Sequence, residues 1–312
     1  MSCPVRKVAV IGATGQLGSE IAKALLEAKF TVTAIQRPDS DKTAPAGCRS
    51  VKVGIDDVNT LTRAFKDHDA VISAVPDPVV FEKQKPWIDA AVAAGVKRVF
   101  PSEYSTNLES PLAEGLPIVT GKVQTRRYLA EQVSKAGCKS TWTSVNNGPF
   151  LDLVLGFGGL GPDFRAKTAR YHNGGNNLIG ATRLPDIAKT IAKILGNENG
   201  LYAEAENRSV YIHSAAVTEK QMTKIAEKVT GETFAVENYD VEEMYQDAKA
   251  KLAKGDRSVM MQFYYQMMYG KGYGGSESFQ EMSWNDRVGL KTLTETELEN
   301  VVRELVQKSE TK

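Results

Sequence analysis

The sequence predicts an α/β fold in which a doubly wound parallel sheet carries a second, smaller and mostly helical domain. Three observations lead to this prediction. Short apolar runs with the composition of strands alternate with helical patterns through the first half of the chain. A glycine-rich turn follows the first of these runs and opens a helix. Beyond residue 150 the alternation fades, and glycine-rich stretches and amphipathic helices replace it.

The first strand and its turn organise the chain. Residues 8–11 are apolar and lead into Gly12, and Gly15 and Gly18 follow with the spacing GxxGxxG. The turn needs glycine because side chains would block the approach of a pyrophosphate to the backbone. The helix that follows offers unpaired N–H groups and its positive dipole end to phosphates. We therefore expect this turn to bind a dinucleotide.

The second predicted strand distinguishes the two nicotinamide dinucleotides. It spans residues 30–35, completes a βαβ unit and is followed by Arg37. An acidic residue there would bind the ribose 2′-hydroxyl of NAD, whereas an arginine accommodates the 2′-phosphate of NADP. Arg37 therefore predicts NADPH. Lys42 is either a second phosphate partner or a solvated loop lysine.

Length and composition limit the classes of function. The 312 residues allow one or two domains, and 39 basic residues balance 38 acidic ones. This balance does not favour nucleic acid or a membrane surface, and no apolar run approaches the ~18 residues that span a bilayer. The first strand starts too early for a signal peptide, and three cysteines without metal-ligand spacing fit a reducing compartment. We expect a cytoplasmic monomer or homodimer that takes a small-molecule substrate.

Further elements are predicted along the chain. The strands span 50–53, 70–75, 98–101, 140–145, 209–213 and 234–239, and the helices 56–65, 86–94, 121–137, 186–195, 218–230, 241–254 and 295–307. A segment rich in methionine and aromatic residues, 260–273, is expected to pack on the core, and contact with an apolar substrate or a partner stays open. Residues 1–150, rejoined by 181–213, form the predicted NADP-binding domain; 151–180 and 214–312 form the predicted substrate-binding domain.

Several motifs occur in an order that is more specific than any one of them. They are the glycine turn, Arg37, Phe-Pro-Ser-Glu-Tyr at 100–104, Lys122 followed by Arg126 and Arg127, and Asn-Gly-Pro-Phe at 147–150. Together they resemble the NmrA-like, isoflavone-reductase-like group of atypical short-chain dehydrogenases, over nearly the whole chain. The resemblance implies a Rossmann-type domain, NADPH as cofactor and an oxidoreductase activity.

The resemblance also implies roles for individual residues. Lys122 matches the catalytic lysine of the family, and Ser102 and Glu103 match the strand end near the nicotinamide. The implied cofactor-binding residues are Gly12, Thr14, Gly15, Gln16, Leu17 and Gly18 in the turn, Arg37, Ser73, Ala74, Val75, Ser102, Lys122, and Asn147, Gly148, Pro149 and Phe150 in a loop against the nicotinamide ring.

The chain departs from the plant reductases in three places. Tyr104-Ser105 stands where they usually have Phe-Gly, and both the loop after the glycine turn and the segment 156–180 differ from theirs. Their phenylpropanoid and isoflavonoid substrates are therefore not implied. The Tyr-x-x-x-Lys pair of ordinary short-chain dehydrogenases is also absent, because no lysine stands four residues after Tyr104 or Tyr128.

Lys122 is the strongest catalytic candidate. A lysine partly withdrawn from water beside a nicotinamide can act as a general acid or base, protonating or stabilising the anion that forms as NADPH delivers hydride. The alternative is a solvated lysine at a helix start. A P-loop is excluded, because five residues rather than four separate Gly115 from Gly121, and Val123 replaces the Ser or Thr that binds magnesium.

Other polar residues are weaker candidates. Ser102 either orients a ligand or caps the next turn, and Tyr104 is expected in the core or at its rim rather than as a proton donor. The three histidines lack metal spacing, and His172 is expected in a solvated loop. Arg126 and Arg127 are expected on a solvated helix face.

The sequence thus predicts an NADPH-dependent reductase that acts on a C=C, C=O or C=N bond of a small, largely apolar or aromatic molecule, with secondary metabolism as one setting for it. Two alternatives stay open: a redox-sensing regulator that binds NAD(P) and a partner protein, and a cyclase or isomerase of the same fold. Lys122 favours an enzyme, because regulators of this family typically lack the lysine.

Overall fold

The computed structural model describes residues 5–75, 81–135, 137–275 and 279–310. Its strands are β1 (Lys7–Ile11), β2 (Thr31–Gln36), β3 (Arg49–Lys52), β4 (Ala70–Ser73), β5 (Arg98–Phe100), β6 (Thr141–Asn146), β7 (Pro162–Asp163), β8 (Thr168–His172), β9 (Ile179–Ala181), β10 (Arg208–Tyr211), β11 (Ala215–Val217) and β12 (Ala235–Tyr239). Its helices are α1 (Gln16–Glu27), α2 (Val58–Phe65), α3 (Phe81–Ala93), α4 (Pro111–Glu114), α5 (Thr120–Ser134), α6 (Leu151–Val154), α7 (Leu184–Leu195), α8 (Leu201–Glu204), α9 (Glu219–Thr230), α10 (Val241–Ala253), α11 (Met260–Tyr269), α12 (Asn285–Val288) and α13 (Glu295–Glu310). Within these ranges, no helix combines the length and the apolar character that crossing a bilayer requires.

The chain divides into two compact units. The first contains the residues up to Tyr104, Thr120–Asn146 and Leu184–Val210; the second contains Ser105–Val119, Asn147–Arg183 and the residues from Tyr211 onward. Residues 105–119 and 147–150, which the sequence assigned to the nucleotide-binding domain, cluster with the second unit. One reason is that the N–H groups of Asn147 and Gly148 both donate to the carbonyl of Ser105. The ligand-binding roles of the two predicted domains stay predictions.

The first unit is built on a seven-stranded sheet with the order β10-β6-β5-β4-β1-β2-β3. All neighbours from β3 to β6 run parallel. The strand order reverses between β1 and β4, and this reversal is the point where doubly wound sheets bind ligands, beyond the carboxyl ends of the strands. The predicted fold class is confirmed.

Helices cover the two faces of this sheet in separate groups. Ala9 and Ile11 of β1 belong to one buried cluster with Phe65 of α2, Trp87 of α3 and Leu129 of α5. Because side chains alternate along a strand, the buried residues between them face the other side. Helices α1 and α7 pack against each other, and neither contributes a residue to the cluster that contains Ala9 and Ile11. This arrangement leaves the carboxyl ends of the strands free of covering helices from these groups.

One helix of the first unit is longer than expected. The sequence predicted a helix over residues 86–94, but α3 spans Phe81–Ala93 and contains Pro86 in its interior. The ring of Phe81 packs edge to face on Tyr128 of α5, with 5.3 Å between centroids. This tertiary contact supports the extra turn.

The second unit is mostly helical and also contains two small sheets. The sheet β12-β8-β7 combines a parallel and an antiparallel pair, and β9 pairs with β11 antiparallel. Strands β7, β8, β9 and β11 were not predicted, because they are only two to five residues long. Helix α9 is capped at both ends: Thr218 accepts a hydrogen bond from the N–H of Gln221, and Gly231 ends the helix at φ 73°.

The expectation that His172 lies in a solvated loop is wrong. His172 ends β8 and is 1% exposed. Its ring stacks on those of Tyr265 and Tyr269 of α11, with centroid distances of 4.2 and 4.6 Å, and its Nδ1 lies 2.6 Å from Oε1 of Glu219. The segment rich in methionine and aromatic residues therefore packs on the core of the second unit, as expected.

Candidate functional site

The glycine turn of the first unit has no room for a side chain at Gly12 or Gly18. Gly12 has φ +80°, and a Cβ on it would lie 2.6 Å from the carbonyl oxygen of Ala74. A Cβ on Gly18 would lie 2.1 Å from the carbonyl oxygen of Gly12. Gly15 occupies the N-cap position of α1, so no side chain caps this helix. The turn thus combines a cradle that a Cβ would fill with the free N–H groups of a helix N-terminus, and a pyrophosphate fits this arrangement.

The other predicted residues of the turn divide by exposure. Thr14 is half-buried and Gln16 is exposed, whereas the side chain of Leu17 is buried in the core. Leu17 can therefore reach a ligand only through its backbone N–H. Gln16 and Thr14 have side chains available to solvent at the start of α1.

The ends of β4 and β5 meet beside this turn. The N–H of Ala74 donates to the carbonyl of Ile11, and the hydroxyl of Ser102 donates to the carbonyl of Val75 at 2.7 Å. Ser73 is fully buried, and its hydroxyl has no partner among the described residues. The contacts run from the glycine turn through residues 74–75 to Ser102, so the structure brings these predicted residues together.

Arg37 directly follows β2, at the carboxyl edge of the sheet. Its side chain is 65% exposed, and its Nε lies 3.8 Å from Oδ1 of Asp39. A side chain of β2 holds the segment that follows Arg37. The buried Gln36 amide donates to the carbonyl of Lys42 at 2.7 Å, and its oxygen accepts from the hydroxyl of Ser50 at 2.6 Å. An anionic ligand can therefore approach the Arg37 guanidinium, and the backbone of Lys42 has a fixed place nearby.

Lys122 lies in the first turn of α5 and contacts Glu103, the residue after Ser102. Its Nζ donates to the backbone carbonyl of Glu103 at 2.7 Å. One helical turn later, Arg126 donates from Nη1 to Oε1 of Glu103 at 2.9 Å, and the Asn146 amide donates to the same oxygen at 3.0 Å. Residues four apart lie on one face of a helix, so α5 holds Glu103 at its backbone and at its carboxylate.

The Glu103 carboxyl is deeply buried and incompletely bonded. It is 1% exposed, and Oε2 has no partner among the described residues, as is also true of Oδ1 of Asn146. Burial raises the pKa of the Glu103 carboxyl, although the charge of Arg126 and the Asn146 amide act in the opposite direction. Tyr104, the next residue, is buried as expected, and burial raises the pKa of its hydroxyl, so it remains protonated.

The expectation of a solvated face at Arg126 and Arg127 is wrong for the first of them. The Arg126 side chain is 9% exposed and forms the ion pair with Glu103, whereas Arg127 is exposed. The position of Arg126 four residues after Lys122 was a usable signal, because both then share a helix face. Asn146 and Gln36 were missed as well, since nothing local in the sequence marks a buried amide.

The predicted nicotinamide loop belongs to the second unit. Gly148 has φ +62°, and a Cβ on it would lie 1.8 Å from the carbonyl oxygen of Gly180. Asn147 is fully buried, and its Nδ2 donates to the carbonyl of Gly148 while its Oδ1 has no partner among the described residues. Pro149 accepts from the N–H of Thr182, and Phe150 forms the N-cap of α6. The loop is thus rigidly shaped, and its contact with a cofactor stays a prediction.

A metal centre finds no support in the described ranges, which contain no group of three histidine, cysteine or acidic side chains placed to hold an ion.

Comparison with known proteins adds to this geometry. The model of the NmrA-like family matches residues 4–272. The oxidoreductase aprR of Aspergillus flavus is 29% identical over 290 residues, covering 91% of this chain and 94% of that protein. The bifunctional pinoresinol-lariciresinol reductase 2 of Linum usitatissimum is 28% identical over 285 residues, covering 84% and 82%.

A solved structure shows the same fold. Leucoanthocyanidin reductase from Vitis vinifera, determined as a binary complex with NADPH, superposes with a TM-score of 0.77 at 17% sequence identity. The match covers 96% of this chain and 99% of that chain. The cofactor that the sequence predicts for this chain is the one that this neighbour holds.

We expect Gly18→Ala to weaken NADPH binding at least tenfold and to destabilise the protein by about 2 kcal/mol, because its Cβ would overlap the Gly12 carbonyl. Fluorescence titration with NADPH and urea denaturation measure the two effects. Gly54→Ala is the matched control, since no atom lies within 4 Å of a Cβ at that position. Wild-type affinity in Gly18→Ala would contradict the assignment of the turn.

We expect Arg126→Gln to destabilise the protein by about 3 kcal/mol at pH 7.5 and by less at pH 5, because it leaves the Glu103 carboxylate buried without its cation. Folding raises the pKa of this carboxyl, so the folded protein loses stability as the pH rises from the unfolded pKa, about 4.3, through the folded pKa. Urea denaturation at the two pH values measures the difference.

Two controls accompany this measurement. The double variant Glu103→Gln/Arg126→Gln should recover most of the lost stability and its pH dependence, because it removes both charges. Arg127→Gln, on the exposed neighbour, should change stability by less than about 0.5 kcal/mol. An equal loss in Arg126→Gln at both pH values would be inconsistent with the buried pair.

Proposed function

Because the chain belongs to the NmrA-like family, we propose that it is an NADPH-dependent oxidoreductase that reduces a C=C, C=O or C=N bond of a small, largely apolar or aromatic molecule. Curated relatives are named oxidoreductases, and a solved neighbour was determined with NADPH, which supports the reaction class and the cofactor. The bond reduced and the aromatic character of the substrate are the finer parts of the proposal.

The observation that carries the proposal is the position of Lys122. Its Nζ is held by the carbonyl of Glu103, just beyond β5, and Glu103 follows Ser102, whose hydroxyl bonds the loop against the glycine turn. A continuous set of contacts therefore connects the amine with the phosphate cradle. Ligands of doubly wound sheets bind at this edge, so the amine lies where a reacting group is expected.

The residues that would hold NADPH divide its binding among them. The turn at Gly12, Gly15 and Gly18 would receive the pyrophosphate against the N-terminus of α1, and the exposed guanidinium of Arg37 would bind the 2′-phosphate. Lys42 would add positive charge near the same phosphate. When bound, the cofactor supplies the hydride.

Lys122 would supply the proton or the positive charge that the reduction needs. Hydride addition to a polarised double bond leaves negative charge on oxygen, nitrogen or a conjugated carbon, and an ammonium group beside that atom stabilises it. Donation of a proton from Nζ completes the reduction, and solvent can restore it because Lys122 is only partly buried. The carbonyl of Glu103 accepts one N–H of the ammonium and orients the other two.

We expect Arg37→Gln to raise the Kd for NADPH about 10- to 100-fold and to leave the Kd for NADH nearly unchanged, because the guanidinium contacts only the 2′-phosphate. Fluorescence titration with both cofactors measures the ratio. Arg49→Gln is the matched control, since Arg49 opens β3 and pairs with Thr33, three residues before the carboxyl end of β2. Parallel losses for NADPH and NADH in Arg37→Gln would reject this role.

We expect Lys122→Met to lower kcat at least 100-fold while the Kd for NADPH changes less than about threefold, because the amine acts on the substrate rather than on the phosphates. NADPH oxidation with a panel of enones, quinones, ketones and imines provides the assay. Lys135→Met, an exposed lysine just after α5, is the control.

Two results would change the proposal. Unchanged turnover in Lys122→Met would remove this residue from the mechanism. Tight NADPH binding by the wild type without oxidation by any member of the panel would favour the regulator or a non-redox enzyme.

A further inference from the structure

We propose that His213 is a substrate-binding residue that hydrogen-bonds a hydroxyl or carbonyl group on an aromatic molecule, and this inference rests on the proposed reductase function. His213 lies just after β10, in the second unit, and none of the sequence motifs assigns it a role. Its surroundings combine a fixed backbone, a ring nitrogen without a partner and nearby aromatic side chains.

The backbone of His213 is held on both sides by one side chain. Oδ1 of Asn285 accepts from the N–H of His213 at 3.1 Å, and Nδ2 of Asn285 donates to its carbonyl at 2.7 Å. The N–H of Asn285 in turn donates to the hydroxyl of Ser283. Because both backbone polar groups of His213 are bonded in this way, its backbone has little conformational freedom, and the Cα from which the imidazole ring extends has a fixed position. Such preorganisation is what a specificity residue needs.

The imidazole ring is buried and has hydrogen-bonding capacity left. His213 is 7% exposed, and its Nδ1 has no partner among the described residues. Burial lowers the pKa of His213, so the ring is neutral at pH 7. A buried polar atom without a partner costs free energy, which a ligand group that bonds it would recover. A neutral imidazole suits a neutral hydroxyl or carbonyl better than a carboxylate or phosphate.

An aromatic pair adjoins the same glycine as His213. A Cβ on Gly180 would lie 2.8 Å from Cδ1 of Phe279 and 3.4 Å from Cβ of His213, so glycine at this position lets both side chains approach its backbone. Phe279 packs edge to face with Tyr211, with 5.7 Å between ring centroids, and both rings are buried. A ligand bound at His213 would adjoin this pair, which favours an aromatic molecule over a polar one.

The same residues adjoin the loop that the sequence assigned to the nicotinamide. The hydroxyl of Thr182 lies 2.5 Å from the carbonyl oxygen of Asn147 and 2.9 Å from that of Ile212, the residue before His213. On the other side of the loop, Gly148 lies against the carbonyl of Gly180. His213 and the predicted nicotinamide loop therefore belong to one rigid part of the second unit. A substrate held by His213 would therefore adjoin this loop within the second unit.

The test compares three flat ligands that differ in one substituent. Calorimetric titrations of the NADP⁺-saturated protein use 2-naphthol, 2-methoxynaphthalene and naphthalene. The wild type should bind 2-naphthol about tenfold more tightly than naphthalene, the effect of one neutral hydrogen bond. If His213 donates, 2-methoxynaphthalene should bind like 2-naphthol; if His213 accepts, it should bind like naphthalene.

The variants assign this preference to His213. His213→Phe should bind all three ligands with similar affinity and should keep the wild-type Kd for NADP⁺, which also reports that it is folded. His213→Gln should retain part of the preference, because it keeps a polar end. His68→Phe, on a half-buried histidine that bonds Thr33 in the first unit, is the matched control and should keep the full preference.

The outcomes separate this inference from the proposed function. A hydroxyl preference that persists in His213→Phe, or its absence in the wild type, overturns the inference and leaves the reductase standing. Failure of the wild type to bind NADPH or NADP⁺ overturns the proposed function, whatever the ligands show.

Discussion

The candidate site depends on a buried ion pair between Glu103, just after β5, and Arg126 of α5. Glu103 joins α5 to the sheet through its backbone carbonyl, which Lys122 contacts, and its carboxylate, which Arg126 and Asn146 contact. Burying two charges is costly, and a pair of this kind rarely adds stability over apolar residues. What the pair contributes is geometry, because it fixes the position of α5 relative to the end of β5. The amine of Lys122, one helical turn earlier in α5, is positioned by the same contact.

The proposed phosphate end of the candidate site is shaped by a different means, the close approach of two backbone segments. The glycine turn and the loop after β4 are so near each other that a methyl group on Gly12 would overlap a carbonyl oxygen. Ser102 extends this contact to β5 by bonding Val75. Backbone packing therefore shapes the cradle, while side-chain charge locates the amine, and the two depend on the same strand order at the centre of the sheet.

The sequence predicted what local chemistry determines. The glycines indicated the turn, because a side chain fits at neither Gly12 nor Gly18. The ends of α9 also depend on local residues, Thr218 and Gly231. Contacts between distant segments gave no such signal. Strand β8 was missed because it owes its order to pairing with β12, and His172 was misplaced with it. Arg126 looked like a surface residue because its partner, Glu103, lies 23 residues away in the chain.

The anchoring of the segment after β2 has a consequence for how cofactor preference can evolve. The amide of Gln36, which accepts from the hydroxyl of Ser50, donates to the carbonyl of Lys42, and Lys52 of β3 donates to the carbonyl of Ser40. The two bonds to the segment reach main-chain atoms, so they do not depend on which side chains stand at residues 40 and 42. Natural variation or protein engineering can therefore change the side chains of residues 37–42, and with them the cofactor preference, while β2 and β3 keep the backbone of the segment in place.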